Sequence, residues 1–246
     1  RPFSACDPRQ YLTFNNQTNP NMNAKASFPP FPPWTWQVPQ FFNIGVACTD
    51  AHVGTEVENR IAMIVEDDAL GTVTATYGEL AQRTSQFAQL LRKHGVNPGD
   101  RVLIRLPNSL DYPTAFLGAM KAGCIAVPTS TLLTTEEVLY LAKDSGAKVL
   151  VMDHAAWEQL APRVAEAVDA RLVLLSGKGK RIENTAVPAI DLKPALAAIT
   201  VWSAPHATRA SDAAYLVYTS GTTGFPKGVV HAHRALIGRE PASEYW

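Results

Sequence analysis

The sequence predicts an α/β fold with a mostly parallel β-sheet and helices on both of its faces. Three observations lead there. From about residue 60 onward, short apolar runs of strand length alternate with longer segments of helical period. Two of those segments open with a capping box, Thr76 with Glu79 and Thr134 with Glu137. Glycines stand where helices should end, at Gly95 and Gly123. Repeated strand–helix–strand units require parallel strands with right-handed crossovers, because each helix must return across the sheet it left.

The elements follow in order. Residues 1 to about 40 are rich in Asn and Pro and culminate in Phe28-Pro29-Pro30-Phe31-Pro32-Pro33-Trp34-Thr35-Trp36, which favours extended backbone over helix. They are expected to form an arm pinned by Trp34 and Trp36, since aromatics between prolines usually anchor to their own chain. Ile61 to Val65 reads as a strand, and the first capping box opens a helix carrying Leu80, Phe87, Leu90 and Leu91. Pro98-Gly99-Asp100 turns into a strand from Arg101 to Leu106. A helix from about Tyr112 to Ala122 and a strand from Cys124 to Val127 come next, before the helix that the second capping box opens towards Asp144. Lys148 to Met152 is a strand, Ala155 to Val168 a helix, and Arg171 to Leu175 a strand. Residues 176 to 212 are mixed, and Ser176-Gly177-Lys178-Gly179-Lys180-Arg181 reads as a solvated turn because no strand-to-helix junction follows it. A buried-type strand, Ala214 to Tyr218, ends the alternation.

Composition bounds the function. The 246 residues carry 22 Lys+Arg against 22 Asp+Glu, so the formal charge is zero and nothing favours a nucleic acid or an anionic bilayer as partner. No apolar run approaches the roughly 18 residues of a membrane span. Cys6, Cys48 and Cys124 are odd in number and widely spread, which argues against a disulfide framework and for a reducing cytoplasm. The chain starts at Arg1 with no apolar signal core behind it, which reads as trimming rather than targeting.

The chemistry concentrates after the last strand. Thr219-Ser220-Gly221-Thr222-Thr223-Gly224-Phe225-Pro226-Lys227-Gly228 offers four hydroxyls, glycines that let backbone N–H groups approach an anion, and one cation on a flexible stem. These are the ingredients of a phosphate cradle. It is not the P-loop of common NTPases, since Pro226 stands where the glycine before Lys is required. The run Gly228-Val229-Val230-His231 leads back into a strand, so no helix dipole assists. A plain polar hairpin explains the stretch poorly, because roughly two to five loop residues suffice for one. His231 and His233, two apart, would face the same side of a strand. No third ligand stands nearby, so structural histidines are expected and no metal site is assigned.

Tyr218 to Gly228 closely resembles the signature loop of the adenylate-forming superfamily, which includes acyl- and aryl-CoA synthetases, luciferases and peptide-synthetase adenylation domains. Thr76-Tyr77-Gly78-Glu79-Leu80 resembles that family's first segment, and Leu117-Gly118-Ala119-Met120-Lys121-Ala122-Gly123 running on to Val127-Pro128 its second, in the family's order. The resemblance covers about residues 41 to 246. Phe42-Asn43-Ile44-Gly45, Arg105-Leu106-Pro107-Asn108 and Gly228 to Arg234 are most similar to the acid–CoA ligases of the medium-chain acyl and benzoate type, with peptide-synthetase adenylation domains as the nearest rival and a non-catalytic nucleotide-binding module as a further alternative.

The resemblance implies two steps. A carboxylate attacks the α-phosphate of Mg·ATP, releasing pyrophosphate and giving an acyl-adenylate, and the thiol of CoA then displaces AMP. It implies that Thr219, Ser220, Thr222 and Thr223 donate to the β- and γ-phosphates, that Lys227 is the loop's cation, and that Gly221, Gly224 and Gly228 supply backbone freedom. The family's adenine-binding, ribose-binding, acyl-pocket and catalytic-lysine motifs do not occur before Trp246. The chain therefore reads as the N-terminal portion of such an enzyme, inactive alone, with the C-terminal portion as its partner. Uncovered apolar surface would make it a possible homo-oligomer.

Overall fold

Alternation of apolar residues along each strand sends neighbours to opposite sides of the sheet, and each side is covered by its own set of helices. The computed structural model describes residues 35–67, 71–167, 169–180, 182–183, 185–201, 203–219 and 225–245, and residues 36–246 form one compact unit. The elements are α1 (Ile44–Ala47), β1 (Ile61–Asp67), β2 (Gly71–Thr76), α2 (Tyr77–Lys93), β3 (Arg101–Arg105), α3 (Asp111–Lys121), β4 (Ile125–Pro128) and α4 (Thr135–Ser145). They continue with β5 (Ala147–Asp153), α5 (His154–Leu160), β6 (Leu172–Ser176), β7 (Ala189–Asp191), α6 (Leu192–Ala197), β8 (Ala213–Thr219), β9 (Lys227–Ala232) and α7 (Glu240–Tyr245).

Among the described residues the main sheet has seven strands in the order β7-β6-β5-β3-β4-β8-β9, parallel throughout except that β9 runs antiparallel to β8. Val102, Ile104, Val149 and Val151 pack towards Phe87 and Leu91 of α2, Ala115 and Ala119 of α3, and Leu192 of α6. Leu103, Leu150, Met152 and Val173 face the other way, onto Val138 and Leu141 of α4 and Trp157 and Leu160 of α5. The expected parallel sheet with helices on both faces is therefore present. Both capping boxes form as the sequence requires: the hydroxyls of Thr76 and Thr134 accept from the N–H groups of Glu79 and Glu137, whose carboxylates accept from the N–H groups of Thr76 and Thr134.

Several expectations need correction. The strand at Ile61 does not belong to the parallel sheet; it pairs antiparallel with β2, built on the β-branched Thr72-Val73-Thr74, in a separate two-stranded sheet. The helix expected from Ala155 to Val168 stops being α-helical at Leu160 and continues as a 3₁₀ turn from Ala161 to Glu166, because Pro162 lacks the N–H that an α-turn needs; Val168 lies outside the described residues. The mixed stretch from 176 to 212 contains β7 and α6. Its Gly/Lys run is exposed and free of regular structure from Gly177 to Lys180, as expected, with Ser176 still the last residue of β6; a Cβ at Gly179 would come within 2.3 Å of the Cβ of buried His154. The proline-rich residues up to Trp34 lie outside the described residues, as does Cys6. Cys48 and Cys124 are both free thiols, and burial pushes both upward, Cys124 to about 12.

Topology sets the position of the loop. The connection leaving β4 runs back across β3 to β5, whereas the one leaving β8 runs outward to β9. Adjacent parallel strands whose connections depart in opposite directions open a crevice beyond their carboxyl ends, where α/β proteins bind ligands.

Candidate functional site

The strand β8 draws its stability from burying Ala214 on the α2/α3 side and Leu216 on the α4 side, and it delivers Thr219 to the carboxyl edge of the sheet. Thr219 is exposed and pairs in register with Lys227, the first residue of β9, which is also exposed. The two strands are thus a hairpin, but residues 220–226 lie between their ends, more than the roughly two to five that joining them needs. Of the predicted phosphate-binding residues, Thr219 and Lys227 are brought together by the ladder. Ser220, Gly221, Thr222, Thr223 and Gly224 lie outside the described residues.

Both feet of the loop rest on α4. The Tyr218 hydroxyl donates to Asp144 Oδ2 at 2.6 Å. Across the loop, the Tyr140 hydroxyl donates to the carbonyl of Pro226 at 3.3 Å, and its ring stacks on Phe225 with centroids 4.9 Å apart. Desolvation first, and the Asp144 carboxylate second, push the Tyr218 phenol above its usual range, so it stays a donor. A cavity of about 390 Å³ lined by Leu133, Glu137, Tyr140, Leu141, Phe225 and Pro226 opens beside this contact. No sequence rule links positions 140 and 144 to a loop more than seventy residues away; on α4 they read as one intermediate and one surface position.

Gly228 has a different role from the one expected. It sits in extended strand opposite Tyr218, and a Cβ there would come within 2.8 Å of Leu216 Cδ1 and 3.4 Å of Tyr218 Cζ. Its φ is not positive, so backbone freedom is not what glycine supplies here, and a Cβ would press on a terminal methyl of Leu216.

On the other face of the hairpin, His231 stacks on Tyr215 at 4.5 Å, and Tyr215 leads through Phe116 to Tyr112 in a row of aromatic contacts. His233 does not share a strand face with His231, because β9 has ended and His233 starts a 3₁₀ turn. It is fully buried and its Nδ1 accepts from the Ile44 N–H at 3.1 Å, which holds α1 to the end of β9. Burial lowers its pKa from 6.5 to about 4, with Asp212 opposing. Among the described residues there is no group of three or more His, Cys, Asp or Glu side chains able to hold a metal.

Residues of the Leu117–Gly123 segment and Asn43 hold helices together. A Cβ at Gly118 would meet Phe87 Cβ and the Thr84 carbonyl at 2.8 Å, so α3 approaches α2 only with glycine there. Gly123 ends α3 with a φ of +79°, a left-handed conformation that favours glycine. Lys121, fully buried, donates to the Ala81 carbonyl and the Ser85 hydroxyl, both at 3.1 Å, and pairs with Asp50; burial lowers its pKa and Asp50 opposes that. Asn43 caps α1 and donates to the Met120 carbonyl at 2.7 Å.

The family whose pattern matches this chain is described as AMP-binding enzyme, over residues 51–241. A 4-hydroxybenzoate–CoA/benzoate–CoA ligase of Rhodopseudomonas palustris is 31% identical over 192 residues, covering 78% of this chain and 34% of the relative. Surfactin synthase subunit 1 of Bacillus subtilis is 34% identical over 162 residues, covering 66% of this chain and 4% of that protein. The crystal structure of the anthranilate CoA ligase AuaEII in complex with anthranoyl-AMP superposes with a TM-score of 0.73 at 22% identity, over 85% of this chain and 38% of the other, and supports the fold. The chain thus spans about a third of the length of the ligase relatives it matches.

Proposed function

The chain belongs to the AMP-binding enzyme family, and from that premise we propose that it carries the phosphate-gripping part of an ATP-dependent acyl- or aryl-CoA ligase, with residues 1–40 as an arm and 41–246 as the catalytic body's first portion. The observation that carries this reading is the exposed Thr219–Lys227 pair, which closes an over-long hairpin loop at the carboxyl edge of a parallel sheet.

That donor set fits a polyphosphate. The Thr219 hydroxyl donates to one phosphate oxygen, and Lys227, on the opposite strand, neutralises charge as pyrophosphate departs. Both are held by a β-ladder before any substrate arrives, so little reorganisation accompanies reaction. Bound ATP supplies the electrophilic α-phosphorus that a carboxylate attacks. The hydroxyl-rich loop, Ser220 to Gly224, completes the cradle in this reading. In this reading Mg2+ enters with the phosphates of ATP. CoA is the acceptor, a small carboxylic acid the substrate, and a reducing cytoplasm the setting; no helix among the described residues is long and apolar enough to cross a membrane.

The test is product analysis. The full-length protein, given ATP, Mg2+, CoA and a panel of aromatic and aliphatic acids, should release AMP and pyrophosphate and form an acyl-CoA detectable by mass. Formation of ADP, or AMP release indifferent to every acid and to CoA, contradicts the proposal.

A further inference from the structure

We propose that Tyr140 and Asp144, one helical turn apart on α4, are positioning residues that fix the two feet of the phosphate loop and so set the affinity for the triphosphate of ATP; this rests on the ligase reading. Asp144 holds the incoming foot through the Tyr218 hydroxyl at 2.6 Å. Tyr140 holds the outgoing foot through the Pro226 carbonyl at 3.3 Å and the stacked ring of Phe225 at 4.9 Å. Residues at i and i+4 lie on one helix face, so a single rigid element touches both ends of the loop.

Two features single out this contact from ordinary packing. Asp144 lies in the last turn of α4, where the helix macrodipole disfavours a carboxylate, so its position is poorly explained by helix stability and well explained by the Tyr218 hydroxyl. Phe225 is 74% exposed, and the Tyr140 ring gives that apolar side chain a partner. Gly228 completes the arrangement, because a side chain there would crowd Leu216 and touch the Tyr218 ring that reaches Asp144. The physical role is preorganisation: Thr219 and Lys227, each next to an end held on α4, lose less freedom when they engage an anion. Neither residue needs to touch ATP.

The experiment is acid-dependent ATP–pyrophosphate exchange by the full-length protein as wild type, Tyr140→Phe, Asp144→Ala and Asp144→Asn, with the thermal midpoint of each. Each lost hydrogen bond should raise the KM for MgATP about threefold to tenfold, with the KM for the acid unchanged. Asp144→Asn should recover most of the loss, since its amide oxygen still accepts from Tyr218. A merely structural role would instead lower kcat with every KM unchanged. Wild-type KM for MgATP in both Tyr140→Phe and Asp144→Ala, or equal rises in both KM values, overturns the proposal. If wild type exchanges with no acid, the ligase reading fails separately. The positioning role is then judged by calorimetric binding of Mg·tripolyphosphate to the same proteins: a wild type that binds more tightly than Tyr140→Phe and Asp144→Ala supports it, and equal or absent binding overturns it.

Discussion

Buried His233 shows how one side chain ties distant parts of the sequence together and what that costs at low pH. Its Nδ1 accepts from the Ile44 N–H, so the ring must be neutral there, and burial lowers its pKa from 6.5 in the unfolded chain to about 4. The folded value lies below the unfolded one. The stability it contributes is therefore fully present above pH 6.5 and is lost as pH falls towards 4. The thermal midpoint of the wild type should decline across that window more steeply than that of His233→Asn, which keeps an acceptor but does not titrate. Parallel pH profiles would contradict this. Strand spacing predicts His231 and His233 on one face; β9 ends at Ala232 and His233 opens a 3₁₀ turn, so the strand period does not reach it. Gly228 misled for a related reason. A glycine in extended strand and one in a left-handed turn look identical until the backbone is known.

Elements were legible where a local rule governs them. The capping boxes at Thr76 and Thr134 and the strands Arg101–Arg105 and Ala147–Asp153 follow from residues within one turn or one apolar run. What depends on contacts far along the chain was not legible: the antiparallel pairing of β1 with β2, the short β7 and α6, and the footing of the β8–β9 connection on α4. The helix pair α2/α3 illustrates both sides. Each helix is readable alone, but their close approach at Gly118 is a tertiary fact. Gly118→Ala would insert a methyl 2.8 Å from Phe87 Cβ and the Thr84 carbonyl, neither of which is a flexible side-chain end. It should cost on the order of 1–3 kcal/mol, despite alanine's better helix propensity, as read by denaturant unfolding. An unchanged or raised midpoint would show that the helices can separate without penalty.

At the scale of the whole molecule, the seven-stranded sheet presents the carboxyl edge of its parallel strands, and the Thr219–Lys227 pair closes the β8–β9 hairpin there. The sheet ends in β9, where Val229 and Val230 are 43% and 61% exposed, so the edge beside the loop is left uncovered by the described residues. In the proposed function, Lys227 and the loop's hydroxyls grip the departing pyrophosphate. Carboxylate-dependent exchange of labelled pyrophosphate into ATP by the full-length protein, as wild type and as Lys227→Met, tests it most directly. Exchange should appear with at least one aromatic or medium-chain acid and fall about a hundredfold in Lys227→Met while the fold survives. Exchange that is absent with every acid, or that persists undiminished without the Lys227 ammonium, would contradict it.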